Sequence, residues 1–253
     1  MTKFLLIAIF IFLNQLSANN EDEKIFKTII SNYNVEKPIE NFEFTEEQSK
    51  ILCGEDPTSI DCEIKTIYVV NEITKKRILY LLNQISQKYN IDKKLTYELN
   101  SKFLRYIEKN QKVDQIVSYC LSSICYEKSI RDDLNYFENN LESILDNKIK
   151  KLPYDDIEVD NNLNYEVSIK NSYKENLELI EKLKNNDEIE YQKIKNDFVN
   201  IQKLWNDYET TLALFLNKTK NNNSEWKEIF YKYRFNDLNR CKDYFEDVQK
   251  FEK

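Results

Sequence analysis

Apolar residues recur at helical spacing along most of this chain. Ile67, Val70, Thr74, Ile78, Leu81 and Ile85 fall on one face at steps of three and four residues, which predicts a helix from Ile64 to about Asn90. Leu95, Leu99, Phe103 and Ile107 form a second stripe over Lys94 to Lys109, and the short connection between the two predicts an αα-hairpin. A third seam, Ile130, Leu134, Phe137, Leu141 and Ile144, lies in a segment that begins near Val113 and stops by Leu152-Pro153. The acidic stretch Tyr154 to Asp160 reads as a linker. A helical tract follows from about Asn161, with a break expected at Asn185-Asn186-Asp187. Its second half carries Ile194, Phe198, Ile201, Trp205, Tyr208, Leu212 and Phe215, the most regular run in the chain, with the aromatic residues read as core. Asn217 to Ser224 ends that helix, and a last one begins near Glu225. Upstream, residues from Glu23 to Asn32 are helix-like, and an irregular stretch containing Pro38 and a cysteine-flanked turn leads into the first long helix.

Composition agrees with this pattern. The 253 residues include one Gly and three Pro, too few turn residues for a sheet protein that must reverse direction often. Charged residues make up 32%, yet 41% are hydrophobic, so the chain can bury a core. The expected fold is all-α, an elongated antiparallel bundle of long helices. The competing arrangement is a coiled-coil homodimer, opposed by seams of only two or three heptads and by aromatic knobs larger than dimeric zippers prefer.

The amino terminus changes the expected address. Phe4 to Leu13 is an unbroken apolar run behind Lys3, followed by the small pair Ser17-Ala18. This reads as a secretory signal peptide over residues 1–18, because ten residues fall short of the roughly 20 needed to span a bilayer. The expected organisation is therefore signal peptide 1–18, an N-terminal helical region 19–112 and a helical bundle 113–253. The mature protein is expected to be exported, periplasmic or secreted, with no membrane span after cleavage.

Charge and residue inventory narrow the chemistry. A formal net charge of -7 disfavours nucleic acid, which requires a basic stripe, and favours a cationic partner. There is no His, so Ser-His-Asp and Cys-His catalysis and His-based metal sites are excluded. One Gly cannot build a phosphate-binding loop. Carboxylate chemistry survives, but with 44 acidic residues, pairs such as Asp132-Asp133 and Asp155-Asp156 read as solvated helix face or loop. No cofactor, no metal and no catalytic residue is expected.

Five cysteines, Cys53, Cys62, Cys120, Cys125 and Cys241, leave an odd one in an oxidising compartment. Cys53 and Cys62 flank Gly54-Glu55-Asp56-Pro57-Thr58-Ser59, a turn-forming stretch, and form the expected disulfide. Pairing among the other three stays open.

Leu134-Asn135 on one helix, Gln202, Trp205 and Tyr208 on a later one, and a late Cys241 give the carboxyl-terminal half, roughly Ile116 to Lys250, a resemblance to the exported lysozyme-inhibitor family typified by the LprI lipoprotein. The chain departs from that family in having Glu209 where an Arg follows the Tyr, and no Cys near Leu212. The resemblance implies a non-enzymatic helical protein that binds and inhibits lysozyme-type cell-wall hydrolases. An acidic protein would meet a cationic lysozyme faster through electrostatic steering. Blocking a saccharide cleft also needs a projecting aromatic or acidic tip, for which the candidates are Glu55-Asp56 and Tyr154-Asp155-Asp156. The alternative is a structural or adaptor protein of the cell envelope acting through helix-helix contacts.

Overall fold

The structure is a computed structural model that describes residues 24–39, 42–54, 56–117, 123–146, 164–183, 188–219 and 223–251. The described residues form eight helices and no strand, so the chain is all-α as its periodicity predicts. The helices are α1 (24–32), α2 (Glu46–Cys53), α3 (Ile60–Tyr89), α4 (Lys93–Val117), α5 (Ser123–Asp146), α6 (Tyr165–Lys182), α7 (Glu188–Leu216) and α8 (Asn223–Phe251). The chain divides into two compact units, Met1–Arg77 and Ile78–Lys253, and the division falls inside α3.

The first unit builds a small core. Ile29 and Ile30 of α1, Leu52 of α2, and Val69 and Ile73 of α3 are buried together, with Phe26, Tyr33, Phe42 and Phe44 packed around them. The rings of Tyr33 and Phe42, and of Phe42 and Phe44, meet edge to face at 5.2 and 4.7 Å. Lys76 and Arg77 of α3 donate to the carbonyls of Ile30 and Val35, satisfying backbone acceptors at and beyond the end of α1.

Helix α2, which hydrophobic spacing alone does not reveal, is set by its ends. Thr45 and Gln48 form a reciprocal capping box, with Gln48 N–H donating to Thr45 Oγ1 at 3.2 Å and Thr45 N–H to Gln48 Oε1 at 2.9 Å. Glu46 and Glu47 in the first turn complement the helix dipole. Gly54 closes the other end at φ 61° while its N–H donates to the Lys50 carbonyl at 2.9 Å. Only Gly adopts that conformation cheaply, which accounts for the position of the chain's one glycine.

The second unit is a serial bundle. Its α3 portion turns into α4 through Asn90 at φ 54°, with Ile91 N–H reaching back to the Ser86 carbonyl at 2.8 Å and Asp92 Oδ1 capping Lys94 N–H at 2.7 Å. Residue pairings fix the directions. Lys102 meets Thr211, Phe103 meets Tyr208 and Tyr106 meets Trp205, so α4 and α7 run antiparallel. Tyr165 meets Phe235, Ser172 meets Asn239 and Leu179 meets Gln249, so α6 and α8 run parallel. Both arrangements follow from helices that alternate direction along the chain. Extensive packing nevertheless joins α4 to α7 and α6 to α8, which are not sequence neighbours. The predicted seams fill the core: Leu134, Phe137, Leu141 and Ile144 of α5 and Phe198, Ile201, Trp205, Tyr208, Leu212 and Phe215 of α7 are all buried.

Candidate functional site

The cysteine-flanked turn lies in the first unit. Cys53 ends α2 and Cys62 lies in the first turn of α3. Their sulfurs are at bonding distance and their Cα atoms 4.5 Å apart, so the expected disulfide closes. Between them the turn hydrogen-bonds to itself. Asp56 Oδ1 accepts from the Thr58 hydroxyl at 2.7 Å and from Thr58 N–H at 3.0 Å. The Thr58 hydroxyl, and then its N–H, hold the Asp56 carboxyl below its ordinary value. Ser59 caps α3 by accepting from Cys62 N–H at 3.2 Å. Asp56, Pro57 and Asp61 are exposed, and Ile60, at 67%, is the most exposed large hydrophobic among the described residues. Glu55 lies outside the described residues, as do Tyr154, Asp155 and Asp156 of the other candidate tip, the signal segment 1–18 and Cys120.

The densest polar chemistry is buried in the second unit. Arg234 of α8 is 2% exposed and donates to Gln202 Oε1 at 3.0 Å, Asn110 Oδ1 at 3.3 Å and the Tyr106 hydroxyl at 3.3 Å. It pairs with Asp237, one helical turn on and 3% exposed, at 3.4 Å. Asp237 also accepts from Asn110 at 3.1 Å, from the Tyr106 hydroxyl at 3.3 Å and from Arg240, whose side chain is largely exposed. The Arg234 guanidinium lies over the rings of Tyr106 and Trp205, 5.7 and 5.9 Å from their centroids. Beside it, Asp133 of α5 accepts from Gln111 at 2.8 Å and from the Tyr233 hydroxyl.

Burial, and then the charges of Asp133 and Asp237, push the Tyr233 phenol well up; burial, and then Tyr136 and Asp133, do the same to Tyr208. Both phenols stay protonated across the physiological range, and Tyr233 donates to Asp133.

The family-like residues split by position. Leu134, Gln202, Trp205, Tyr208 and Cys241 are all buried, and Gln202, Trp205 and Tyr208 sit within or against this cluster. Asn135 is half-buried. Their regular spacing therefore reports packing around Arg234. Asp133 corrects one expectation: read as part of a solvated acidic pair, it is buried because Gln111 and Tyr233 supply the donors that make burial tolerable. Arg234 and Asp237 escape a search for catalytic motifs, although a trace existed. Phe230, Arg234, Leu238, Cys241 and Phe245 step by four and three residues, which puts a charge in the middle of an apolar stripe.

Among the described residues no group of three Cys, Asp or Glu could hold a metal ion, and no helix is long and apolar enough to cross a membrane. Chemically, the buried cluster can hold four helices in register through hydrogen bonds made inside the protein. No family model, no curated protein and no solved structure matches the chain.

Proposed function

We propose that this chain is an exported, non-enzymatic binding protein that acts by contact with another protein, with cationic lysozyme-type cell-wall hydrolases as its target class. The disulfide-closed turn carries the reading. It presents Asp56, held in place by Thr58, beside exposed Pro57, Ile60 and Asp61, and so joins an acidic group to an apolar one on a short pinned loop. A closed disulfide also fits an oxidising compartment. The burial of Gln202, Trp205 and Tyr208 supports a scaffold role for these three and directs the reading of partner contact toward exposed turns. The net charge of -7 favours encounter with a cationic partner.

The test is lysis of a peptidoglycan suspension by a cationic lysozyme, with the protein titrated in at low and at physiological salt. Saturable inhibition at physiological salt, weakened by Asp56→Lys and by Ile60→Asp, is the expected outcome. Inhibition confined to low salt reports charge attraction screened over about 8 Å and refutes a specific inhibitor. A cell-envelope adaptor is the second reading, favoured by Val199 and Leu214, exposed on α7 although both are apolar. Self-association or capture of an amphipathic helix, lost in Leu214→Lys, would distinguish it.

A further inference from the structure

The chain contains two Asn-x-Ser/Thr triplets, Asn217-Lys218-Thr219 and Asn222-Asn223-Ser224, and both fall at the connection between α7 and α8. No asparagine inside a helix is followed two residues later by Ser or Thr. Such a triplet is the acceptor for asparagine-linked glycans when it lies on a surface turn of a secreted protein. The first triplet meets that condition. Asn217 is the first residue beyond Leu216, where α7 ends, and both it and Lys218 are exposed. Asn217 N–H donates to the Ala213 carbonyl and Lys218 N–H to the Phe215 carbonyl, each at 3.0 Å, so backbone bonds hold the turn. Thr219 is 0% exposed, and its hydroxyl and its N–H both donate to the Leu216 carbonyl, at 2.8 and 3.0 Å. The hydroxyl that completes the triplet is therefore shut inside the folded turn. Asn222 lies outside the described residues.

We infer that Asn217 carries an asparagine-linked glycan and that the sugar is added before this turn folds. The donor class is an oligosaccharide held on a polyprenol lipid through pyrophosphate. The Asn217 amide nitrogen bonds to the anomeric carbon, the bond from that carbon to the pyrophosphate oxygen breaks, the lipid pyrophosphate leaves, and one amide proton is lost to solvent. A transferase that reads the third residue of the triplet must reach the Thr219 hydroxyl, which the folded turn withholds. Once the turn has closed, the glycan stands on an exposed residue and displaces no buried group. The inference rests on the export reading, taken as secretion through the endoplasmic reticulum.

The experiment is cell-free translation of the full chain, with its own amino terminus, in the presence of endoplasmic-reticulum microsomes. Protease protection reads export, and loss of mass on glycosidase digestion reads the glycan. The expected product is protected and carries a glycosidase-sensitive mass step that is removed by Asn217→Gln and by Thr219→Val and retained in Asn222→Gln. Purified, folded, unglycosylated protein offered the same transferase and lipid donor should gain no such step. A protected chain with no step, or with the same step in Asn217→Gln, overturns the inference and leaves the export reading standing. An unprotected chain overturns both. Sugar uptake at Asn217 by the folded protein overturns the order of events.

Discussion

Replacing Arg234 by Met tests whether the buried cluster is one mutually compensated unit. The substitution keeps an unbranched stem and removes the guanidinium with its charge, so the loss combines the broken polar contacts with some packing. It deprives Gln202 and Asn110 of the guanidinium that donates to their oxygens, and Asp237 of a counter-charge at 3.4 Å. Breaking a fully buried ion pair by removing one partner costs about 3–5 kcal/mol. Asp237 retains the bonds from Arg240, Tyr106 and Asn110, which places the expected loss at the lower end, about 3 kcal/mol. For a unit spanning Ile78–Lys253, each kcal/mol moves the melting temperature by roughly 2–4 °C, so a drop of about 6–12 °C is expected. The assay is thermal and denaturant unfolding by circular dichroism for Arg234→Met, Asp237→Leu and the double variant. The double variant should be far less damaged than the two single losses added, since neither charge is then left alone. A single-variant loss below about 1 kcal/mol, the range of exposed pairs, would refute the reasoning, and so would strict additivity.

Three further outcomes follow from the first unit. Replacing Cys53 and Cys62 by Ser opens a loop of sequence separation 9 and should cost that unit about 2.5 kcal/mol by the chain-entropy relation, measured by limited proteolysis of α2; equal protection with and without the bridge would contradict it. Gly54→Ala should destabilise by about 1–3 kcal/mol in denaturant melts, because the φ of 61° strains any other residue even though a Cβ meets no atom within 4 Å; a neutral result would count against that conformation. Thr58→Val removes the hydroxyl donor but keeps the N–H, so the Asp56 midpoint in a carboxyl-carbon NMR titration should rise toward 3.8, and an unmoved midpoint would disprove the contact. Since the folded value is depressed, the stability linked to Asp56 is present above its unfolded value and is lost as pH falls through the folded one, a window below about pH 4.

Helical periodicity exposed the long elements because their seams are regular. Ile130 through Ile144 and Phe198 through Phe215 follow the expected spacing and are buried. Helix α2 was hidden: it has eight residues, only Leu52 is buried, and its identity rests on the Thr45 and Gln48 caps. The division at Arg77–Ile78 is equally silent in the sequence, since one uninterrupted helix runs through it with no linker, proline or glycine to mark it. The disulfide was legible because it is local and surrounds a turn. The Arg234 cluster was not, because its members come from four helices: Asn110 and Asp237 are 127 residues apart and Asp133 and Tyr233 are 100 apart. Spacing rules describe neighbours on one helix and are blind to pairs that only the finished bundle brings together. That blindness also explains why Asp133 looked solvated.

The pairing of α4 with α7 has a consequence in time. Lys102 and Thr211, which meet across that contact, are 109 residues apart. At a synthesis rate of about 5–20 residues per second, α4 exists for roughly 5–20 s before its main partner has been made. Throughout that interval Leu99, Phe103, Tyr106 and Ile107 have no α7 to cover them. A nascent chain in this state offers an apolar helical stripe to whatever holdase it meets, and the stripe is covered only once α7 has emerged.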